Sequence, residues 1–407
     1  MPIEFGPVTE PELTAFFAAE ASAYSSGPSI EDETPFGRLF DFGRSMAARD
    51  GRQIVGGSVY YRLDLSVPGV KAPAGGVTHV FTVPTHRRQG ILTEIMRRQL
   101  QMMHSEGIVL AGLHAAESSI YGRFGYGPAA PTEVLEIERG HARFRREFTP
   151  AGSFHLVDDD EAMDLFPDIY ESYRTSTPGL FSRDDEWWRL RFRAPGRAQG
   201  SPNWLKAVYK RRGRPLAYVI YSLKSEWVDA VPRSTLNVIE MAYGDPESYA
   251  AIWHHLFGID LVRLLHIYSP INPLIWWMLA DPRRLTRRIR DGLWLRLVDM
   301  PSALFTRQYL RNANLTLRVE DTFCPWNDGT YRLESEDGNA TCARTDSSPD
   351  LVVSADALAS CYLGANDFHT LAAAGLAEEQ SRGALSLASA MFGWHTPPMT
   401  SAPEPLT

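Results

Sequence analysis

Between Val77 and Met103 the spacing of apolar residues changes from a period of two to one of 3.6, across a loop holding a proline, two arginines and a glycine. Val77 to Val83 (VTHVFTV) reads as a strand, and Pro84 stops its ladder because it has no N–H to give. Beyond it, Ile91, Leu92, Ile95, Leu100 and Met103 line one face of a helix from about Gly90 to Glu106. The loop between them, Arg87-Arg88-Gln89-Gly90, therefore runs straight into a helix start, where backbone N–H groups lack intrahelical partners and can bind a phosphate. Gly90 allows close backbone approach, and Arg87 and Arg88 supply cationic charge suited to a diphosphate. The loop lacks G-x-x-x-x-G-K-[ST] and G-x-G-x-x-G, which disfavours a P-loop hydrolase and a Rossmann site. An exposed basic turn would have the same spacing, so the loop alone leaves both readings open.

Around this unit the first ~145 residues alternate strands and helices. Thr9-Glu10-Pro11-Glu12 has the form of a capping box ahead of a helix. Ser45 to Arg49, a turn at Asp50-Gly51 and a strand from Gln53 to Leu65 read as a hairpin, followed by a Pro- and Gly-rich loop, Pro68 to Gly76. Ile108 to His114 is a short strand, and Glu117 to Tyr121 a short helical stretch. After a break at Thr149 to Ser153, the succession strand (Thr235 to Ala242), turn, helix (Glu247 to Phe257) and strand (Val262 to Tyr268) repeats that of Val77 to His114, which suggests a duplicated fold. At the second turn Asp245 and Glu247 replace the arginines and would repel a diphosphate. From about 298 the pattern changes to short strands (Leu315 to Glu320, Gly329 to Glu334, Asn339 to Ala343) and helices (Ala355 to Leu363, Thr370 to Ala374, Ala384 to Phe392), with an extended tail from Gly393. The expected organisation is 1–150, 151–297 and 298–407, in an α/β (α+β) class.

Composition excludes several functions. Acidic residues (49) outnumber basic ones (41), giving a net charge of −8 and no case for a nucleic-acid partner. The longest apolar run, Leu274 to Ala280, falls far short of the ~20 residues of a membrane span. The start, MPIEFGPVTE, has neither the basic region nor the apolar core of a signal peptide. The 3 cysteines have no ligand-like spacing, so no metal site is expected and a reduced, cytoplasmic compartment is.

Val83-Pro84-x-x-Arg87-Arg88-x-Gly90-Ile91 resembles the acetyl-CoA signature of the GNAT N-acetyltransferase superfamily. Together with the segment from Glu117 to Pro128 (ESSIYGRFGYGP), the DGLWLR run at Asp291 to Arg296, the YLGA run at Tyr362 to Ala365 and the chain length, it resembles the enhanced intracellular survival (Eis) family. That resemblance implies two tandem GNAT-like domains followed by a sterol-carrier-protein-like α+β domain, assembled as homohexamers, with acetyl-CoA as acyl donor and primary amines, aminoglycoside-like or lysine-type, as acceptors. It also implies residue roles. Val80, Phe81 and Thr82 would pair with the pantetheine arm. Arg88, Gln89, Gly90, Ile91, Leu92 and Thr93, with Arg87 beside them, would hold the pyrophosphate. Ala116 and Glu117 would lie near the thioester, and Tyr121 would give a proton to the departing thiolate.

The family's general base is the terminal carboxylate. Here the tail continues past Glu404 to Thr407, so the Thr407 carboxylate, Glu404 or a water chain can serve. His79 and His114 are rival bases, each equally readable as an ordinary core or surface histidine. Acidic residues for a cationic acceptor are available at Glu31, Asp32, Glu33 and Glu404. Two other functions compete with an amine N-acetyltransferase. One is an acyltransferase of a specialised-metabolite pathway, and the other is a non-catalytic binding protein that keeps the fold.

Overall fold

The computed structural model describes residues 2–25, 39–193 and 204–400. The chain divides into two compact units. One comprises 1–130 and 292–396; the other comprises 131–291 and a stretch beginning at Pro397. No helix among the described residues is long and apolar enough to cross a membrane.

In the first unit the Glu12 carboxylate accepts from both the backbone N–H and the hydroxyl of Thr9, at 2.9 and 2.7 Å, which starts helix α1 (Leu13–Tyr24) as the capping pattern predicts. Arg49 donates to both oxygens of the same carboxylate and holds its pKa down to about 2. Strands β1 (Glu4–Gly6), β2 (Ser45–Asp50), β3 (Gln53–Val67), β4 (Val70–Thr82) and β5 (Leu110–His114) lie in that order, antiparallel except for the β4–β5 pair. Residues 293–297 of the strand Thr286–Leu297 pair against the far side of β5.

From the sequence Pro68 to Gly76 reads as a loop, and here the structure differs. The turn is only Pro68-Gly69, with Gly69 at φ 79, and β4 begins at Val70. Ala72 and Ala74 are buried while Lys71 and Pro73 face out, so the segment alternates as a strand should, with small residues filling the inward positions. Helix α2 (Ile91–Ser105) packs Ile91, Ile95, Met96, Gln99, Leu100 and Met103 inward, with Leu92 only half-buried. A further five-stranded sheet follows in this unit, ordered Asn339–Arg344, Gly329–Glu336, Ala313–Glu320, Leu351–Ser354, Ala377–Glu379. Arg296 and Asp321 form a buried ion pair.

In the second unit the strand Ser234–Tyr243, helix Pro246–Phe257 and strand Val262–Pro270 form a parallel β–α–β, the arrangement that β4, α2 and β5 make in the first. The repeated succession in the sequence is thus a repeated fold. Its core gathers Tyr209, Val219, Leu236, Ile252, Trp253 and Ile267. Buried Glu240 accepts from Arg183 at 2.8 and 2.9 Å and from Tyr218 at 2.5 Å, which compensates the loss of hydration.

Candidate active site

The site begins where two strands part. β4 and β5 pair only between Ala74 and Gly76 on one side and Leu110 and Gly112 on the other, although β4 continues to Thr82. Beyond Gly76 that edge of β4 has no strand partner among the described residues, so its backbone groups are open to a ligand. On the β3 side the register jumps between Gly57 and Val59, so that His79 and Val80 together face Ser58. His79 stands at φ 53, a left-handed conformation uncommon for a residue with a Cβ, and the strand bulges there.

The loop after β4 turns its N–H groups onto the start of α2. Arg88 is left-handed at φ 64 and Gly90 at φ 81, and Gly90, the N-cap, offers no side chain to satisfy the first-turn donors. Extended Arg87 followed by left-handed Arg88 bends the chain ahead of α2, and the dipole and unpaired first-turn N–H groups of this 15-residue helix favour an anion at its N-terminus. Open space surrounds Gly90, so its glycine answers to the backbone angle and not to crowding. Arg88 is exposed and has no ion pair or hydrogen bond among the described residues. Arg87 is committed elsewhere, donating to the carbonyls of Ala23 at 2.8 Å and Thr82 at 3.3 Å.

One cleft of about 570 Å³ collects these groups. Val80, Phe81, Thr82, Arg87, Arg88, Gly90, Ile91, Leu92, Thr93, Ala116, Glu117 and Tyr121 all line it; among the expected residues Gln89 does not, its amide turned to the Thr85 carbonyl at 3.3 Å. The buried Thr82 hydroxyl on its wall has no hydrogen-bond partner, as a site waiting for a polar ligand group would show. Tyr121 ends helix α3 (Ser118–Tyr121), its ring set edge-on to Tyr126 at 6.0 Å. Burial, with Tyr24 and Glu117 nearby, holds its phenol well above the ordinary range, so the hydroxyl keeps its proton at any working pH.

These parts resolve into known relatives. Residues 4–129 and 179–297 each match a family described as Acetyltransferase (GNAT) domain, and residues 300–401 match the Sterol carrier protein domain. An uncharacterized N-acetyltransferase of Streptomyces avermitilis is 35% identical over 361 residues, 87% of this chain and 88% of its own. The N-acetyltransferase Eis of Mycobacterium tuberculosis is 32% identical over 408 aligned positions, 97% of each chain. The chain belongs to the Eis family of GNAT N-acetyltransferases. Among solved structures, Eis1 from Mycobacterium abscessus superposes with a TM-score of 0.85 at 30% identity, covering 98% of this chain and 100% of that one.

In this Eis-family acyltransferase the equivalent turn of the second GNAT domain shows no comparable anion site among the described residues. Pro246, at the first turn of its helix, has no N–H, and the Asp245 carboxylate accepts from Ser248 N–H at 2.8 Å. Arg211 bridges Asp245 and Glu247 at 2.7 and 2.8 Å, so that cation is already paired. The rival bases fall outside the cleft lining. His79 binds the Glu20 carboxylate through Nδ1 at 2.9 Å, and His114 ends β5 opposite Leu293. Glu31, Asp32, Glu33, Glu404 and Thr407 lie outside the described residues.

Sequence reasoning missed Tyr24, whose hydroxyl donates to the Val80 carbonyl at 2.7 Å and which lines the cleft with Ala23, Ile120 and Arg123. Its only local signal was the helical spacing from Glu20, and nothing in the sequence says which strand that helix face meets.

Proposed function

We propose that this acyltransferase moves an acetyl group from acetyl-CoA to a primary amine by direct attack on the thioester, using one donor site per chain, in the first GNAT domain. The observation that carries the reading is the single cleft. An unpaired strand edge, a helix N-terminus with a free arginine and a protonated phenol line it together. The diphosphate fits the unpaired N–H groups at the start of α2 and Arg88, the pantetheine amides fit the open β4 edge, and the sulfur end fits the neighbourhood of Tyr121 and Glu117.

Chemically, the amine lone pair attacks the thioester carbonyl, the C–S bond breaks, one amine proton goes to a base and sulfur receives a proton or a strong hydrogen bond. Holding both reactants in line supplies most of the acceleration, since no covalent enzyme intermediate is required. Tyr121, kept protonated by burial, stabilises the charge developing on sulfur. The proton acceptor in this reading is a tail carboxylate, at Thr407 or Glu404, or a water chain. The acceptor in this reading is a primary amine, aminoglycoside-like or lysine-type, with Glu117 the carboxylate on the cleft wall.

The test is turnover of acetyl-CoA against a panel of primary amines, following thiol release and the mass of the acceptor. Stoichiometric thiol and acetylated amine support the reading. Thiol release with no acetylated amine, or no release with any amine, overturns it.

A further inference from the structure

Helix α1 grips the donor strand at one place. Glu20 and Tyr24 are four residues apart and so project from the same helix face. Glu20 places both carboxylate oxygens on His79 Nδ1, at 2.9 and 3.0 Å, while the Tyr24 hydroxyl donates to the Val80 carbonyl at 2.7 Å. Neighbours on one helix face thus hold consecutive residues of β4, and those two residues are the ones that share Ser58 as partner across the bulge. Arg87 reinforces the same junction by reaching from the end of β4 to the Ala23 carbonyl on α1.

The arrangement answers a conformational problem. His79 is left-handed at φ 53, a state that an L-residue keeps only when its surroundings enforce it. The imidazole is enclosed by the rings of Phe16, Phe17 and Phe40, with centroids 6.3, 5.5 and 6.4 Å away, and its Nδ1 is fixed by Glu20. Without those contacts the backbone can fall back to ordinary extended angles. The bulge would then flatten, and Val80 to Thr82 would shift along Ser58. That shift changes where the open edge presents its carbonyl and N–H groups. It leaves the α2 N-terminus, which has its own packing through Ile91 and Ile95, in place.

We propose that Glu20, Tyr24 and His79 are positioning residues that lock the β4 bulge and thereby fix where the pantetheine arm and the thioester lie, separately from the contacts that Arg88 and the α2 N-terminus make with the diphosphate. The inference rests on acetyl-CoA being the donor, and it adds a division of labour within that site. Contacts from α1 govern the reactive end of the donor, and the loop at α2 governs the nucleotide end. Glu20 and Tyr24 touch backbone or another side chain and not the reacting atoms, so their effect is felt in geometry.

The test uses the full-length chain and two probes: acetyl-CoA, and adenosine 3′,5′-bisphosphate, which keeps the adenosine, its 3′-phosphate and the first phosphate of the diphosphate and lacks the pantetheine arm. Glu20→Gln and Tyr24→Phe should each weaken acetyl-CoA binding about three- to tenfold and lower kcat about tenfold or more, while the bisphosphate binds within about twofold of the parent. His79→Ala should lose most of the turnover. His79→Asn, which tolerates left-handed backbone and keeps a side-chain N–H for Glu20, should recover a large part of it. Equal losses for both probes would show general damage and overturn the proposal. So would turnover within about twofold of the parent in Glu20→Gln and Tyr24→Phe, or His79→Asn no better than His79→Ala. If the parent itself binds no acetyl-CoA, the donor reading falls and this proposal with it, an outcome that no variant can imitate.

Discussion

Arg88 and Arg87 are adjacent in sequence, yet the structure gives them different work, and replacing them one at a time separates the two roles. Arg88 is exposed and without a partner among the described residues, and its left-handed backbone costs alanine the same as it costs arginine. Arg88→Ala should therefore leave the unliganded fold untouched and remove only what the guanidinium gives the ligand. A hydrogen bond to a charged group is worth ~1.5–3 kcal/mol, and solvent screening at an exposed site favours the lower end. A loss of ~1.5–2 kcal/mol corresponds to acetyl-CoA binding about 10–30-fold weaker, with a shallower salt dependence because one cation is gone. Arg87→Ala also gives up the bonds at 2.8 and 3.3 Å that tie β4 to the end of α1, so it should lower the melting temperature of the unliganded protein by a few degrees. Calorimetric titration with acetyl-CoA at two salt concentrations, alongside thermal melts without ligand, reads both effects. Unchanged acetyl-CoA affinity in Arg88→Ala would remove the diphosphate from this loop. A melt shifted as far by Arg88→Ala as by Arg87→Ala would refute the division of roles.

Tyr121→Phe removes one hydroxyl and keeps the ring, so kcat should fall about 10²-fold with acetyl-CoA affinity retained; near-normal turnover would make Tyr121 a packing residue. Because burial raises that phenol above its ordinary value of 10.0, the parent enzyme should show no alkaline loss of rate from Tyr121 below about pH 10, as a pH profile of kcat in parent and variant would reveal. Titration with acetyl-CoA should saturate at one ligand per chain, since Pro246, Asp245 and the Arg211 pairs occupy the turn where the first domain has its anion site; a stoichiometry of two contradicts this. In the second unit, Glu240 has its pKa lowered from 4.5 to about 2, with Arg183 and Arg191 outweighing burial, so its stabilisation is present above pH 4.5 and drains away as the pH falls towards 2. Glu240→Gln should cost ~3–5 kcal/mol at neutral pH, by leaving buried arginines uncompensated, and should lose that acid dependence; melting the variant at several pH values decides it.

Local chemistry by itself determines a good deal of this protein. The change of period at Pro84, the glycine ahead of Ile91 and the two arginines define a strand, an anion-binding turn and a helix within a few residues of one another, and such short-range features are written directly in the chain. The repeat of that succession near Thr235 to Tyr268 was legible for the same reason, as was the loss of the anion site there, because Asp245, Pro246 and Glu247 act on their own helix. What the sequence misjudged was Pro68 to Gly76, where proline and glycine suggested a loop. Pairing with β3 overrides local preference there, and small residues fit the buried face.

Tertiary structure alone decided how the site is held. Nothing near His79 in sequence announces a bulge, since the left-handed angle exists only because Glu20, Tyr24 and three phenylalanines arrive from elements 39 to 63 residues away along the chain. Sequence spacing encodes what a residue does to its own helix or strand. Which carboxylate meets which imidazole, and which arginine remains free for a ligand, depends on how the packed elements cross.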